Sequence, residues 1–242
     1  MKIVDVVCSK ARTGFFFDDQ RAIKKGAVAD GAAYFGETVT PGFKSVRQAG
    51  EAISVMLILE DGQIAWGDCA AVQYSGAGGR DPLFLAEDFI PIIEKYIKPE
   101  LVGKEADSFK GLCEMLESIQ VDGKRLHTAI RYGVSQAILD AVAKSSKRLM
   151  CEVVADEYGT TVSEEPIPVF TQSGDNRYDN ADKMILKGAA VMPHALINNV
   201  KLKLGEKGEL LKEYVQWLSQ RVQKLRNDEN YMPVFHIDVY GT

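Results

Sequence analysis

The chain has 242 residues, of which 46% are hydrophobic and 26% charged, and its formal net charge is −5. This composition is typical of a globular protein with one large domain or two modest ones. No cluster of lysines and arginines stands out and no apolar run is long enough to cross a bilayer, which argues against a nucleic-acid partner and a membrane-spanning protein. The cysteines are scattered without a C-x-x-C pair, which predicts reduced thiols in a cytoplasmic protein. They are Cys8, Cys69, Cys113 and Cys151.

The first part of the chain contains a β-hairpin pattern, "ISVMLILEDGQIAWGD". Its two β-rich runs flank Asp61-Gly62, a dipeptide that favours a type I′ turn because both central residues need a positive φ. Before the hairpin, Gly26 to Phe43 combine glycines, small residues and aromatics without a period, which predicts a long loop. After it, "PLFLAEDFIPIIEKYI" predicts a helix that Pro91 interrupts.

A second helix is predicted for "HTAIRYGVSQAILDAVAK", because its apolar residues recur every four positions on one face. This stripe consists of Ile130, Val134, Ile138 and Val142. The polar stretch from Asp156 to Pro166 then predicts a connection between domains. We therefore expect an N-terminal domain of residues 1–160 and a second domain of residues 161–242.

The second part alternates strand and helix patterns. "IPVFTQS", "AAVMPHALI" and "PVFHIDVYG" predict strands, and Pro193 favours an edge or strand end for the middle one. "YDNADKMILK" predicts a helix with Asp179 or Asn180 as N-cap. "KGELLKEYVQWLSQRVQKL" predicts a longer helix with one apolar side, formed by Leu211, Val215, Leu218, Val222 and Leu225. This alternation indicates parallel strands with helical crossovers, as in an α/β barrel or a doubly wound sheet.

Each of the three predicted strands ends in a polar residue: Gln172, His194 and Asp238. In a barrel these ends share one mouth, where an amide, an imidazole and a carboxylate could hold and deprotonate an anionic substrate. Other interpretations stay open: Asp238 could pair with a lysine or arginine, and His194 could simply end a loop. His236 shares a strand face with Asp238, so it is either half of an H-x-D metal pair or a packed, hydrogen-bonded histidine.

Long blocks of the sequence resemble the methylaspartate ammonia-lyase (3-methylaspartase) family of the enolase superfamily. They include "TGFFFDDQRAIKKGA", "GDCAAVQYSGAGGRDPLFLAEDFIP", "PVFTQSGDNRYDN", "PHALINNV" and "FHIDVYGT". The resemblance implies an α+β N-terminal capping domain followed by the first part of a (β/α)₈ TIM-type barrel. It also implies that the protein uses Mg²⁺ as a cofactor, that a monovalent cation such as K⁺ can bind as well, and that the protein forms a homodimer. The implied reaction is the reversible elimination of ammonia from L-threo-3-methylaspartate to mesaconate during glutamate fermentation.

The resemblance also implies roles for individual residues. Asp238 is similar to the first of three acidic Mg²⁺ ligands, and His194 to a base or electrostatic partner on one face of the substrate. Gln172 resembles a contact to a substrate carboxylate or amine, and Gln73 a residue that lines the pocket. The family continues past residue 242 with the other two metal carboxylates and a catalytic lysine, so we expect an incomplete barrel and no activity from this chain alone.

Two alternative functions remain at this point. "VKLKLG" contains Lys201-Leu202-Lys203, and a K-x-K on the second barrel strand marks the racemase and cycloisomerase branch of the superfamily. The other alternative is a non-catalytic capping or dimerisation module.

Overall fold

The computed structural model describes residues 1–71, 74–75, 81–174, 176–197 and 199–239, and the chain divides into two compact units. Unit 1 comprises Met1–Val162 and unit 2 comprises Ser163–Thr242. No helix among the described residues is long and apolar enough to cross a membrane.

The first elements of unit 1 are β1 (Ile3–Asp19), α1 (Gln20–Lys24), β2 (Val28–Asp30), β3 (Ala33–Phe35), β4 (Arg47–Leu59), β5 (Ile64–Ala70) and β6 (Tyr74–Ser75). Four of these strands form a mainly antiparallel sheet of order β5-β4-β1-β6, in which the short β6 runs parallel to β1. The prediction of one unbroken loop from Gly26 to Phe43 is wrong, because β2 and β3 form a small hairpin within it.

The predicted hairpin is confirmed as β4 and β5, but its turn is not type I′. Only Gly62 of the dipeptide has a positive φ, at +86°. Its N–H donates to the Leu59 carbonyl at 2.9 Å, and the Leu59 N–H donates to the Gln63 carbonyl at 2.9 Å. These bonds close a three-residue loop with glycine in its left-handed position, an arrangement that leaves Asp61 an ordinary backbone conformation.

The remainder of unit 1 is mainly helical. Its elements are α2 (Ala86–Ile92), a π-helical turn (Ile93–Ile97), α3 (Lys98–Leu101), α4 (Phe109–Ser118), β7 (Gln120–Val121), β8 (Lys124–Arg125), α5 (Thr128–Ser146) and α6 (Met150–Glu157). The prediction that Pro91 interrupts the first helix is wrong, because the chain stays helical through Leu101. Proline removes one backbone donor, and the wider π-helical turn that follows is a usual way for a helix to absorb such a disturbance.

Helix α5 covers one face of the sheet, and its predicted apolar stripe is buried as expected. It also runs along the exposed edge of β5. Gln136 and Asp140 accept hydrogen bonds from the N–H groups of Asp68 (3.2 Å) and Trp66 (2.9 Å). The Lys144 ammonium donates to the Ile64 carbonyl at 2.7 Å. The helix therefore satisfies backbone groups that an edge strand would otherwise leave open.

Unit 2 contains α7 (Asp179–Leu186), β9 (Val191–Ile197), a π-helical turn (Val200–Leu204), α8 (Glu209–Leu225) and β10 (Val234–Val239). Strands β9 and β10 are parallel. The predicted first strand lies along the other side of β9, but as isolated bridges at Phe170 and Gly174 rather than as a continuous strand.

Two local expectations for unit 2 are wrong. The N-cap of α7 is Tyr178, without a side-chain cap, instead of Asp179 or Asn180. Pro193 does not lie on an edge strand, since β9 is paired on both sides. The register shifts opposite His236, which makes His194 the extra residue of a bulge, and a bulge tolerates a proline that cannot donate to the ladder.

The core of unit 2 forms where α7 and α8 pack on β9. Of the apolar side predicted for α8, Leu218 and Val222 are buried, while Leu211, Val215 and Leu225 are only partly buried. Tyr214 is 1% exposed and was not part of the predicted stripe. The core residues are Ala181, Met184, Ile185, Ala189, Met192, Ala195, Tyr214, Leu218 and Val222.

Candidate functional site

His194 is the central residue of β9, and Asp238 lies near the carboxyl end of the adjacent parallel strand β10. The Nε2 atom of His194 is 3.6 Å from Oδ2 of Asp238, and the two side chains are 17% and 36% exposed. The backbone of His194 has a φ of +44°, a left-handed conformation that histidine adopts more readily than most residues. The bulge thus turns the imidazole towards the carboxylate while leaving both groups accessible.

His236 completes a pair of imidazoles. Its Nδ1 lies 2.7 Å from Nδ1 of His194, a hydrogen-bond distance. The ring centroids are 4.8 Å apart and the planes differ by 16°. Of the two interpretations of His236, the hydrogen-bonded one agrees with this contact.

Phe170 packs against both imidazoles. Its ring centroid is 5.2 Å from that of His194 and 5.2 Å from that of His236, with interplanar angles of 65° and 80°. Edge-to-face contacts of this kind are favourable for aromatic rings. The sequence analysis missed Phe170, although its position two residues before Gln172 puts it on the same strand face.

Gln172 follows Phe170 on the same segment, and its side chain is exposed. It lines a cavity of about 490 Å³ together with Asn180 and Lys183 of α7 and with Lys187, the C-cap residue of that helix. Among the described residues, no hydrogen bond joins Gln172 to His194 or Asp238. The structure therefore brings together His194 and Asp238, whereas Gln172 lines a separate cavity that includes neither of them. Gln73 lies outside the described residues.

Asp238 supplies the kind of ligand that Mg²⁺ prefers, a carboxylate oxygen. Within the described ranges, no group of three or more histidine, cysteine, aspartate or glutamate side chains is arranged to hold a metal ion. These residues fit one position of an octahedral Mg²⁺ site and do not form a complete one.

The arrangement can hold and move a proton. With Nδ1 of His194 engaged by His236, Nε2 is the nitrogen that remains free for a ligand or a proton. If Nδ1 keeps its hydrogen, a second proton on Nε2 would make His194 a cation beside the Asp238 carboxylate, and opposite charges at this distance attract.

Comparisons with known proteins cover the whole chain. Residues 1–159 match the family model of the methylaspartate ammonia-lyase N-terminus, and residues 161–242 match that of its C-terminus. The methylaspartate ammonia-lyase of Clostridium tetanomorphum is 66% identical over 242 residues, which are 100% of this chain and 59% of that protein. The chain thus spans about three-fifths of the length of the curated relatives it matches.

Solved structures of methylaspartate ammonia-lyases resemble this chain as closely as the sequences do. Beta-methylaspartase from C. tetanomorphum in an Mg complex superimposes with a TM-score of 0.91 at 66% identity, over 99% of this chain and 58% of that one. The Citrobacter amalonaticus methylaspartate ammonia lyase containing (2S,3S)-3-methylaspartic acid gives 0.93 at 59% identity, with the same coverage of 99% and 58%.

A more distant match shows the fold alone. An enolase from Agrobacterium radiobacter, at 14% identity, has a TM-score of 0.55 over 97% of this chain and 48% of that one. The predicted fold is confirmed: an α+β domain followed by part of an enolase-type (β/α) barrel.

Proposed function

Because the chain belongs to the methylaspartate ammonia-lyase family, we propose that it forms part of an enzyme that reversibly eliminates ammonia from L-threo-3-methylaspartate to give mesaconate. The observation that supports this most directly is the contact of His194 with Asp238 across two adjacent parallel strands, with Nε2 and Oδ2 3.6 Å apart. A base and a metal-ligating carboxylate side by side suit a reaction that removes a proton next to a carboxylate.

In this proposal Asp238 provides one of several oxygen ligands to Mg²⁺, and other residues of the enzyme provide the rest. Bound Mg²⁺ would stabilise the negative charge that develops on the substrate carboxylate when the neighbouring carbon loses its proton. Ammonia then leaves from the adjacent carbon.

His194 acts at Nε2 in the same proposal. It accepts the proton from one face of the substrate, or stabilises charge there, while its Nδ1 stays on His236. Gln172 contacts a substrate carboxylate or amine, and Gln73 lines the pocket. A positioned general base contributes roughly 10²–10⁴-fold to such a reaction.

The proposal extends to the organisation of the protein. Residues 1–160 act as a capping domain and residues 161–242 form the start of the barrel. We also propose that the protein forms a homodimer, which light scattering would test. We propose that it is located in the cytoplasm, which cell fractionation would test.

The racemase or cycloisomerase alternative requires the K-x-K motif to lie on a barrel strand, and the motif does not lie on one. Lys201-Leu202-Lys203 lies in the π-helical turn Val200–Leu204 and not on a strand. A K-x-K motif there does not display two lysines on one strand face, which that chemistry requires.

The test uses a complete protein of the length of the curated relatives. Mesaconate absorbance should rise when L-threo-3-methylaspartate and Mg²⁺ are supplied, and should not rise when a chelator removes the metal. The 242-residue chain, assayed in parallel, should be inactive. A complete protein that folds and dimerises but never forms mesaconate would instead support the non-catalytic module.

A further inference from the structure

The two imidazoles of His194 and His236 meet edge to edge. Their Nδ1 atoms are 2.7 Å apart, closer than atoms of stacked rings approach one another, and their planes differ by 16°. This geometry is that of a hydrogen bond lying nearly in the plane of both rings.

Such a bond constrains where the ring protons lie. A neutral imidazole has one N–H donor and one bare nitrogen acceptor, so a bond between two Nδ1 atoms needs the proton on one of them only. The two rings must therefore hold opposite tautomers, one with its hydrogen on Nδ1 and the other with its hydrogen on Nε2.

The proposed role of His194 as a base decides which ring donates the hydrogen bond and which accepts it. Nδ1 of His194 is occupied by His236, so any proton from a substrate must be accepted at Nε2, the atom that faces Asp238. Nε2 can accept a proton only when the hydrogen of the neutral ring is on Nδ1. His194 must then donate through Nδ1–H, and His236 must accept.

The contacts that hold His236 are consistent with a fixed partner. It lies on β10, opposite Pro193 at the bulge, and the edge-to-face contact with Phe170 restrains its ring. Phe170 makes a matching contact with His194 at the same centroid distance of 5.2 Å, so one aromatic ring keeps the pair together.

We propose that His236 is a positioning residue, which accepts a hydrogen bond from Nδ1–H of His194 and thereby keeps Nε2 of His194 bare and aimed at the substrate. This inference rests on the proposed function of His194. It assigns His236 no contact with the substrate, and its effect is confined to the substrate face that His194 serves.

The test compares two substitutions in the complete enzyme. His236→Phe keeps an aromatic ring and removes the acceptor, whereas His236→Asn can place an amide oxygen close to the position of Nδ1. The loss of one hydrogen bond predicts a fall in kcat of about tenfold for His236→Phe, with KM nearly unchanged. The fall should affect the substrate diastereomer served by His194 and spare the other, and His236→Asn should recover most of it. Val234→Thr, an exposed change on the same strand, should leave both diastereomers unaffected.

Histidine-selective ¹⁵N NMR provides a measurement that does not depend on turnover. In the wild type, the Nδ1 signal of His194 should be that of a protonated nitrogen, and His236→Phe should shift this signal towards the average of two exchanging tautomers. His236→Asn should keep the wild-type signal.

The inference is overturned by equal losses on both diastereomers, by an Asn variant as impaired as the Phe variant, or by an unprotonated Nδ1 of His194 in the wild type. Failure of the proposed function looks different. In that case the wild-type complete protein forms no mesaconate, or His194→Asn leaves turnover intact, and the ¹⁵N signals still decide whether His236 sets the tautomer.

Discussion

Gly67 of β5 and Gly133 of α5 pack backbone against backbone. A Cβ on Gly67 would collide with the Gly133 carbonyl oxygen, and a Cβ on Gly133 would collide with the backbone nitrogen of Cys69. Neither position accepts a side chain unless the helix moves away from the sheet. The close approach brings α5 near enough to the strand to bond its edge.

Gly67→Ala should therefore lower the free energy of unfolding of unit 1 by about 1–3 kcal/mol or more, the usual cost of overpacking. Gly133→Ala should do the same, even though alanine improves helix propensity by about 1 kcal/mol. Urea unfolding followed by the fluorescence of Trp66, in a Trp217→Phe background, reports on unit 1 alone. Gly14→Ala is the control, because a Cβ there meets nothing within 4 Å. Equal urea midpoints for Gly67→Ala and Gly14→Ala would contradict the packing argument.

Asp19 should be a strong stabilising residue of unit 1. It is fully buried, and its carboxylate accepts hydrogen bonds from the N–H groups of Ala22, Val39 and Thr40 and from the Thr40 hydroxyl. Burial raises the pKa of Asp19, but these hydrogen bonds outweigh it and hold the pKa below the ordinary value of 3.8. The carboxylate therefore stabilises the fold above about pH 4, and this contribution is lost as the pH falls through the lowered pKa.

Asp19→Asn should cost about 2–4 kcal/mol at pH 7, because the amide turns a donor towards N–H groups that need an acceptor. The difference from the wild type should shrink as the pH falls below about 4 and through the lowered pKa, at which the folded wild-type carboxylate is itself protonated. Urea titrations at neutral and acid pH measure both effects. Asp107→Asn, at an exposed site, should stay within about 0.5 kcal/mol of the wild type. A cost for Asp19→Asn that does not change with pH would count against this assignment.

His127 gives unit 1 a second pH response, nearer to neutrality. Its Nδ1 accepts the Ala129 N–H at 3.0 Å as the N-cap of α5, and its Nε2 donates to the Pro82 carbonyl at 3.0 Å, which requires a neutral ring. Burial lowers the pKa of His127 below 6.5, although the hydrogen bond to the Pro82 carbonyl and the charge of Asp81 each raise this pKa in part. The neutral ring thus stabilises the fold above pH 6.5, and that contribution is lost as the pH falls through the lowered pKa.

His127→Asn keeps a good N-cap without a titrating group. The variant loses ring contacts with Phe84 and Phe89 and should be less stable overall. Its free energy of unfolding should nevertheless decrease less than that of the wild type between about pH 7.5 and pH 5. Parallel pH slopes for the two proteins in urea unfolding would show that the cap does not titrate.

Asp238→Asn in the complete protein should abolish mesaconate formation and weaken Mg²⁺ binding measured by calorimetry. The amide has nearly the same shape but no charge for the cation, so the circular dichroism spectrum and thermal midpoint should change little. Glu229→Gln, at an exposed position on the segment before β10, should retain both properties. Normal turnover of Asp238→Asn at saturating Mg²⁺ would exclude this residue as a ligand.

His194→Asn in the complete protein should reduce turnover of one 3-methylaspartate diastereomer by about 10²–10⁴-fold and the other much less, because the imidazole serves one substrate face. Asparagine is chosen because it tolerates the left-handed backbone at this position. Gln172→Ala, in contrast, should raise KM for both diastereomers alike. Equal losses of kcat for both diastereomers in His194→Asn would indicate that the imidazole only positions the substrate.

The elements with a regular period could be predicted from the sequence. The stripe of Ile130, Val134 and Ile138 identifies both α5 and its buried face. The alternation of strand and helix patterns also indicates parallel strands, and the structure brings His194 and Asp238 of two such strands within 3.6 Å of each other, while their roles stay predictions. The prediction of α5 succeeds because burial of a periodic apolar face depends on local spacing alone.

The remaining features depend on tertiary contacts that local spacing does not encode. Tyr214 lies outside the predicted stripe, yet it is buried in the core of unit 2, where its hydroxyl donates a hydrogen bond to the Arg177 carbonyl at 3.0 Å. In the sequence, Pro193 favours an edge strand or a strand end, because the spacing of residues does not reveal the bulge at His194 that tolerates a proline. Phe170 carries no functional signal by itself, since only the folded chain brings its ring against two histidines.

The side chains of α5 that bond the edge of β5 are spaced four residues apart on the helix, and their partners are spaced two apart on the strand. Four helical residues rise about 6 Å, and two strand residues rise about 6.6 Å. The two repeats are nearly commensurate, so a straight helix can follow a strand for a few steps, with an offset that grows by about 0.6 Å per step. Flexible side chains such as those of glutamine and lysine can still form three successive hydrogen bonds across this offset. A much longer edge would need a curved helix or a true neighbouring strand, which sets a natural limit to how far one helix can close a sheet.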